Sequence, residues 1–157
     1  MISFFQTDGA LRKKIRASGC ALLDCAKVAA QIFTQDDMNK LYDELLAVKF
    51  IDEECTLLSW DNVLNGLDAR LHFKREIVLG MEVAGVYTPV SSPEQYTCAA
   101  NELEILKWWL TNVKEEHHTV GDGKGVTAWD SMARPDIMAA YAKPMARIIV
   151  SVEEVAA

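Results

Sequence analysis

A cysteine, a histidine and an aspartate can serve as nucleophile, base and orienting acid, and this chain of 157 residues offers them in that order as Cys20, His117 and Asp130. Cys20 follows Ser18-Gly19 and opens a run in which Leu22, Leu23, Ala26, Ala29, Ala30 and Phe33 recur at helical spacing. The spacing predicts a helix beginning near Cys20. Free N–H groups and the macrodipole at a helix N-terminus favour a thiolate, and a neighbouring imidazolium favours it further. Cys25, a turn further in, lacks that position. The segment HHTVGDGKGVTAWDS reads as two short strands around a tight turn, since Asp122-Gly123 and Lys124-Gly125 tolerate positive φ. A histidine opening the first strand and Asp130 ending the second can lie side by side, the carboxylate fixing the ring tautomer. His117 and His118 point to opposite faces of a strand, so only one of them can face Cys20. His117 is the expected base and His118 the alternative. Gln6 is a candidate fourth member, its side-chain amide joining the backbone N–H of Cys20 around an oxyanion.

The elements that must position these residues are punctuated by capping and turn signals. Thr34 and Asp37 form a capping box with Asp in place of Glu, ahead of the apolar stripe Met38, Leu41, Tyr42, Leu45 and Leu46. Asp61 is expected to cap a short helix carrying Val63, Leu64 and Leu67 that ends around Gly66 to Asp68. RLHFKREIVLGMEVAGVYTPV predicts one or two short strands with a bend. Ser92-Pro93 resembles an N-cap and N1 pair, and Leu103, Leu106 and Leu110 then predict a long helix over 94–111. ARIIVSV is a continuous apolar run suited to a closing strand. Helices first, then a helix and an antiparallel sheet, give an α+β arrangement. The irregular 66–101 region is the expected source of substrate contacts.

The segments FFQTDG, SGCALL and HHTVGDGKGVTAWDS resemble the papain-like cysteine peptidases of the bacteriocin-processing, double-glycine-leader type, particularly small phage-associated and bacterial members. The resemblance covers most of the chain and implies a single papain-like domain over 1–157, with N-terminal helices packed on a small antiparallel sheet. It also implies the site Gln6, Cys20, His117 and Asp130, with His118 in the place of a family aromatic. Family members often carry Cys-Gly and Asp-Pro where this chain has Cys20-Ala21 and Asp130-Ser131, changes that remove no reactive atom. The implied chemistry is hydrolysis of a peptide or amide bond through a covalent thioester, without a cofactor or metal. The implied substrates are peptides or peptidoglycan-like cross-links.

Composition bounds these expectations. Half the residues are apolar and 25% charged, as in one compact domain, and the formal net charge of -7 disfavours nucleic acid and anionic lipid as partners. No apolar stretch approaches a membrane span, and MISFFQTDGALRKK lacks a signal-peptide core, so a cytoplasmic protein is expected. Cys20, Cys25, Cys55 and Cys98 lack zinc-ribbon or disulfide-scaffold spacing. Adjacent histidines on a strand cannot share one ion without distortion, which argues against a metal hydrolase. The competing reading is a catalytically inactive papain-like scaffold that binds or inhibits a partner protein. Residue by residue, the bland assignments are buried structural thiols at Cys25, Cys55 and Cys98 and a strand residue at His72. Asp122 is expected to serve its own turn.

Overall fold

A computed structural model describes residues 1–154. The elements in chain order are α1 (Lys13–Ser18), α2 (Cys20–Val28), α3 (Gln35–Ala47), α4 (Trp60–Leu67), β1 (Leu71–Val78), β2 (Gly80–Val83), β3 (Val86–Pro89), β4 (Glu102–Leu110), β5 (Glu115–Gly121), β6 (Thr127–Trp129), α5 (Pro135–Tyr141) and β7 (Ala142–Val152). Five strands form a sheet in the order β1-β7-β4-β5-β6, with antiparallel neighbours, and β2 and β3 form a separate hairpin. The architecture is mixed α+β. No helix among the described residues is long and apolar enough to cross a membrane.

Two of the helices, α3 and α4, begin where a side chain satisfies their first N–H groups. Thr34 accepts from the N–H of Asp37 while the Asp37 carboxylate accepts from the N–H of Thr34, so the expected capping box forms. At α4 the cap is Ser59 rather than Asp61, and Asp61 instead accepts from the N–H of Phe73 at the start of the sheet. The helix opening at Cys20 stops at Val28, with Ala29 already extended, so Ala30 and Phe33 lie beyond it. A short α1, which the apolar spacing does not predict, leads into it through Gly19. A Cβ at Gly19 would lie 2.5 Å from the Ile15 carbonyl oxygen, so only glycine lets α1 end this close to the start of α2.

The main correction concerns 94–111. The expected long helix is absent: 93–99 is irregular and Glu102–Leu110 is strand β4, with β7 on one side and β5 on the other. Central strands are covered on both faces, so their apolar residues need not alternate, and Leu103, Leu106 and Leu110 matched helical spacing by coincidence. Similarly, 71–89 holds three strands rather than one or two. The apolar run ARIIVSV forms the C-terminal part of the last strand, β7, as expected, and β7 lies between β1 and β4. The hairpin of β5 and β6 forms as expected, its turn held by Asp122 accepting from the N–H groups of Lys124 and Val126.

The core lies between α2, α3 and α4 and one sheet face, joining Leu22, Leu23, Met38 and Leu64 to Ile105, Ile148 and Val150. Register then sorts the rest of β5. Val120 lies opposite Ile105 and His118 opposite Lys107, on the helix-covered face; Thr119 opposite Leu106 and His117 opposite Trp108 lie on the other. That second face is organised by Glu104 and Arg147, both buried. The carboxylate of Glu104 accepts from Arg147 Nε at 2.7 Å and from the N–H groups of Gly123 and Gly125 at 2.9 and 2.8 Å. Glu104 thereby anchors the hairpin turn that delivers β6 and Asp130. Gly121 must be glycine for this, because its Cβ would fall 2.4 Å from Glu104 Oε1.

Candidate active site

Cys20 is the first residue of α2, and α2 packs directly on β5. Because His118 is on the β5 face that meets α2, its Nδ1 lies 3.7 Å from Cys20 Sγ. The expected base, His117, is on the opposite face. Its Nε2 donates to Asp130 Oδ1 at 2.7 Å, and the same oxygen accepts from the N–H of Met132 at 2.9 Å. The expected set of three is therefore divided: Cys20 meets His118, and Asp130 meets His117. Strand alternation dictates this, since neighbouring side chains on β5 cannot both face α2.

Both pairs line one cleft of about 560 Å³, together with Gln6 and Trp60. That volume falls within the range of small-molecule and short-peptide sites. The Trp60 ring tilts over the His118 imidazole, with centroids 5.7 Å apart. The walls come from 54–57, from 112–116 and from the segment 130–138 after β6. The expectation that 66–101 supplies substrate contacts fails, because those residues form α4's end, β1 and the hairpin of β2 and β3, away from the cleft.

Gln6 is buried beside the site but already engaged. Its Nε2 donates to the Arg16 carbonyl at 3.1 Å, its Oε1 accepts from Ser131 Oγ at 2.8 Å, and its backbone N–H donates to the Ser131 carbonyl at 2.9 Å. Gln6 thus ties the end of α1 to the residue after Asp130, and one amide hydrogen remains for another acceptor.

Electrostatics overturns the expected thiolate–imidazolium pair. Burial, and after it the charge of Asp24, push the Cys20 thiol up to about 12 against the opposing backbone N–H groups of His118, Ala21 and Cys20. Burial likewise pushes His118 down to about 3, assisted by the positive charge of Lys107 and by His117. The resting pair is a neutral thiol beside a neutral imidazole. For Asp130, burial acts upward, but the hydrogen bonds from His117 and the N–H of Met132 prevail and hold its carboxyl below the ordinary range.

The other cysteines fit their bland assignments in part: Cys25 and Cys55 are buried with raised thiols, whereas Cys98 is partly exposed near the turn at Gly123. All four are free. Sequence reasoning passed over Asp24 and Trp60. The signal for Asp24 was an acid inside the otherwise apolar run ALLDCA, four residues after Cys20. No group of three or more His, Cys, Asp or Glu among the described residues is arranged to hold a metal ion. No known protein family, no curated protein and no solved structure matches this chain.

Proposed function

We propose that the chain is a papain-like cysteine hydrolase, cleaving a peptide or peptidoglycan-like amide bond through Cys20 with His118 as its base. The observation that carries this reading is the thiol at the first position of α2 facing an imidazole nitrogen at 3.7 Å in an open cleft. From a neutral pair, attack and proton transfer are concerted. As sulfur bonds to the amide carbon, the thiol proton moves to His118 Nδ1, and the oxyanion gathers at the free N–H groups opening α2 and the remaining amide hydrogen of Gln6. His118 then passes the proton to the leaving amine, and water releases the acyl group from sulfur. Trp60 over the imidazole excludes water from the transfer. Asp130 and His117 act at one remove, holding the β6 end of the cleft against β5. Four free thiols accord with a reducing, cytoplasmic setting.

A second reading, an inactive scaffold that binds a partner, draws on the same electrostatics: a thiol pushed up to about 12 is not an activated nucleophile at rest. Acyl transfer separates the two. With p-nitrophenyl acetate, the hydrolase reading expects a transient acetyl thioester on Cys20 by intact mass, and turnover that Cys20→Ser abolishes. His118→Ala is expected to slow turnover by ~100-fold, in line with the loss of a general base. A folded chain that forms no adduct at Cys20 overturns the reading, and peptide and peptidoglycan fragments are then tested as ligands rather than substrates.

A further inference from the structure

Asp24 is the buried ionisable group for which that chemistry has no use. It lies one helical turn behind Cys20, is 0% exposed, and neither of its oxygens has a hydrogen-bond partner. The other unpartnered buried side-chain oxygen among the described residues is Oδ2 of Asp130, the residue whose charge acts on Asp24. A carboxylate without a donor in an apolar interior is strongly disfavoured, and a second carboxylate nearby disfavours it more. The charged group that acts on it is Asp130, after β6, and Asp24 acts in turn on the thiols of Cys20 and Cys25 on its own helix. The strands on which α2 packs, β5 and β4, carry His118, His117 and Lys107 along the cleft. Lys107 is engaged with Glu116 at 3.3 Å and His117 with Asp130, while Asp61 of α4 is exposed. None of them compensates a negative charge at Asp24.

We propose that Asp24 is a neutral acid in the folded protein and a positioning residue for Cys20, whose thiol can give up its proton only while Asp24 keeps its own. A neutral carboxyl leaves the sulfur unopposed when its proton passes to His118. An ionised one, a single turn away in a dry interior, sets a like charge against the nascent thiolate. Ionisation of Asp24 thus holds back part of the reactivity that rising pH brings to the thiol. The inference rests on Cys20 being the reactive thiol of the cleft, and it is read on the thiol itself rather than on turnover.

The test is residue-resolved iodoacetamide labelling of Cys20 from pH 6 to 10 in the full chain, in Asp24→Asn, which holds the site neutral, and in Asp24→Leu, which does so without polar atoms. Both variants are expected to fold and to label like the parent wherever Asp24 keeps its proton. Where it ionises, the parent is expected to fall behind by about tenfold, the factor that one unit of thiol displacement produces. Superimposable profiles overturn the proposal. So does slower labelling of the variants throughout, which would mean that the carboxylate is needed in charged form, and so does failure of both variants to fold. A chain whose labelling responds to Asp24→Asn while p-nitrophenyl acetate is never turned over sinks the hydrolase reading alone.

Discussion

A thiol and an imidazole in contact can share their proton in two ways, and solvation decides between them. Cys20 is buried and His118 only partly exposed, so charging both costs more than their attraction returns. Iodoacetamide labelling of Cys20 is therefore expected to be slow near pH 6 and to climb steadily through pH 9, without the mildly acidic plateau of an ion-paired thiol. Replacing His118 with Ala opens the site to water, and the labelling curve is expected to move toward that of a free thiol, near 8.5. His117→Ala, on the other face of β5, is expected to leave the curve in place and to lower stability through loss of the bond to Asp130. Equal effects of the two substitutions on Cys20 would contradict the assignment of His118 as the contact.

The elements hold this site through a few points that tolerate little change. Glu104 is fully buried and accepts from Arg147 and two backbone N–H groups, so Glu104→Gln removes a charge from Arg147 while keeping the shape. The expected loss is about 3–5 kcal/mol in urea denaturation, the cost of stranding a buried partner. Adding Arg147→Met is expected to recover only part of it, because the carbonyls of Tyr96 and Gly123 lose the guanidinium donors they had. Full recovery in the double variant would show that the ion pair alone matters. None of this was legible in the sequence, where Glu104 and Arg147 stand 43 residues apart in apolar runs. What was legible is local. The Thr34–Asp37 box, the DGKG turn and the glycine before Cys20 each declare themselves within a few residues. What was not legible depends on partners: β4 looked helical because burial on both faces erased its alternation, and α1 and α5 are too short to show a stripe. The site was legible in the same measure. Cys20, a histidine from the pair, Asp130 and Gln6 all reach one cleft, but which histidine meets the thiol is set by the β4–β5 register, a long-range property.

For the whole molecule, the two groups beside Cys20 link folding to protons with opposite signs. His118 is neutral in the fold down to about 3 but carries a proton in the unfolded chain below about 6.5. Unfolding takes up that proton, so this group makes stability rise with pH across the interval. Asp24 is held protonated by burial and by Asp130, whereas an unfolded Asp is ionised above about 3.9. Unfolding releases that proton, so its contribution is fully present below about 3.9 and is lost as pH rises toward its folded value. Between about pH 5 and 6 the two groups therefore act on stability with opposite signs. The depressed carboxyls, among them Asp130 and Glu102, lose their contribution as pH falls from about 5 through the ordinary carboxylate range, below that window. The intact chain is therefore expected to show a shallower dependence from pH 5 to 6 than either single variant in urea titrations at fixed temperature. Asp24→Asn is expected to unmask a rise with pH and His118→Leu a fall, with the double variant shallow again. A flat profile in both single variants would mean that neither group changes its protonation on folding, and a parent slope as steep as either variant would mean that only one does.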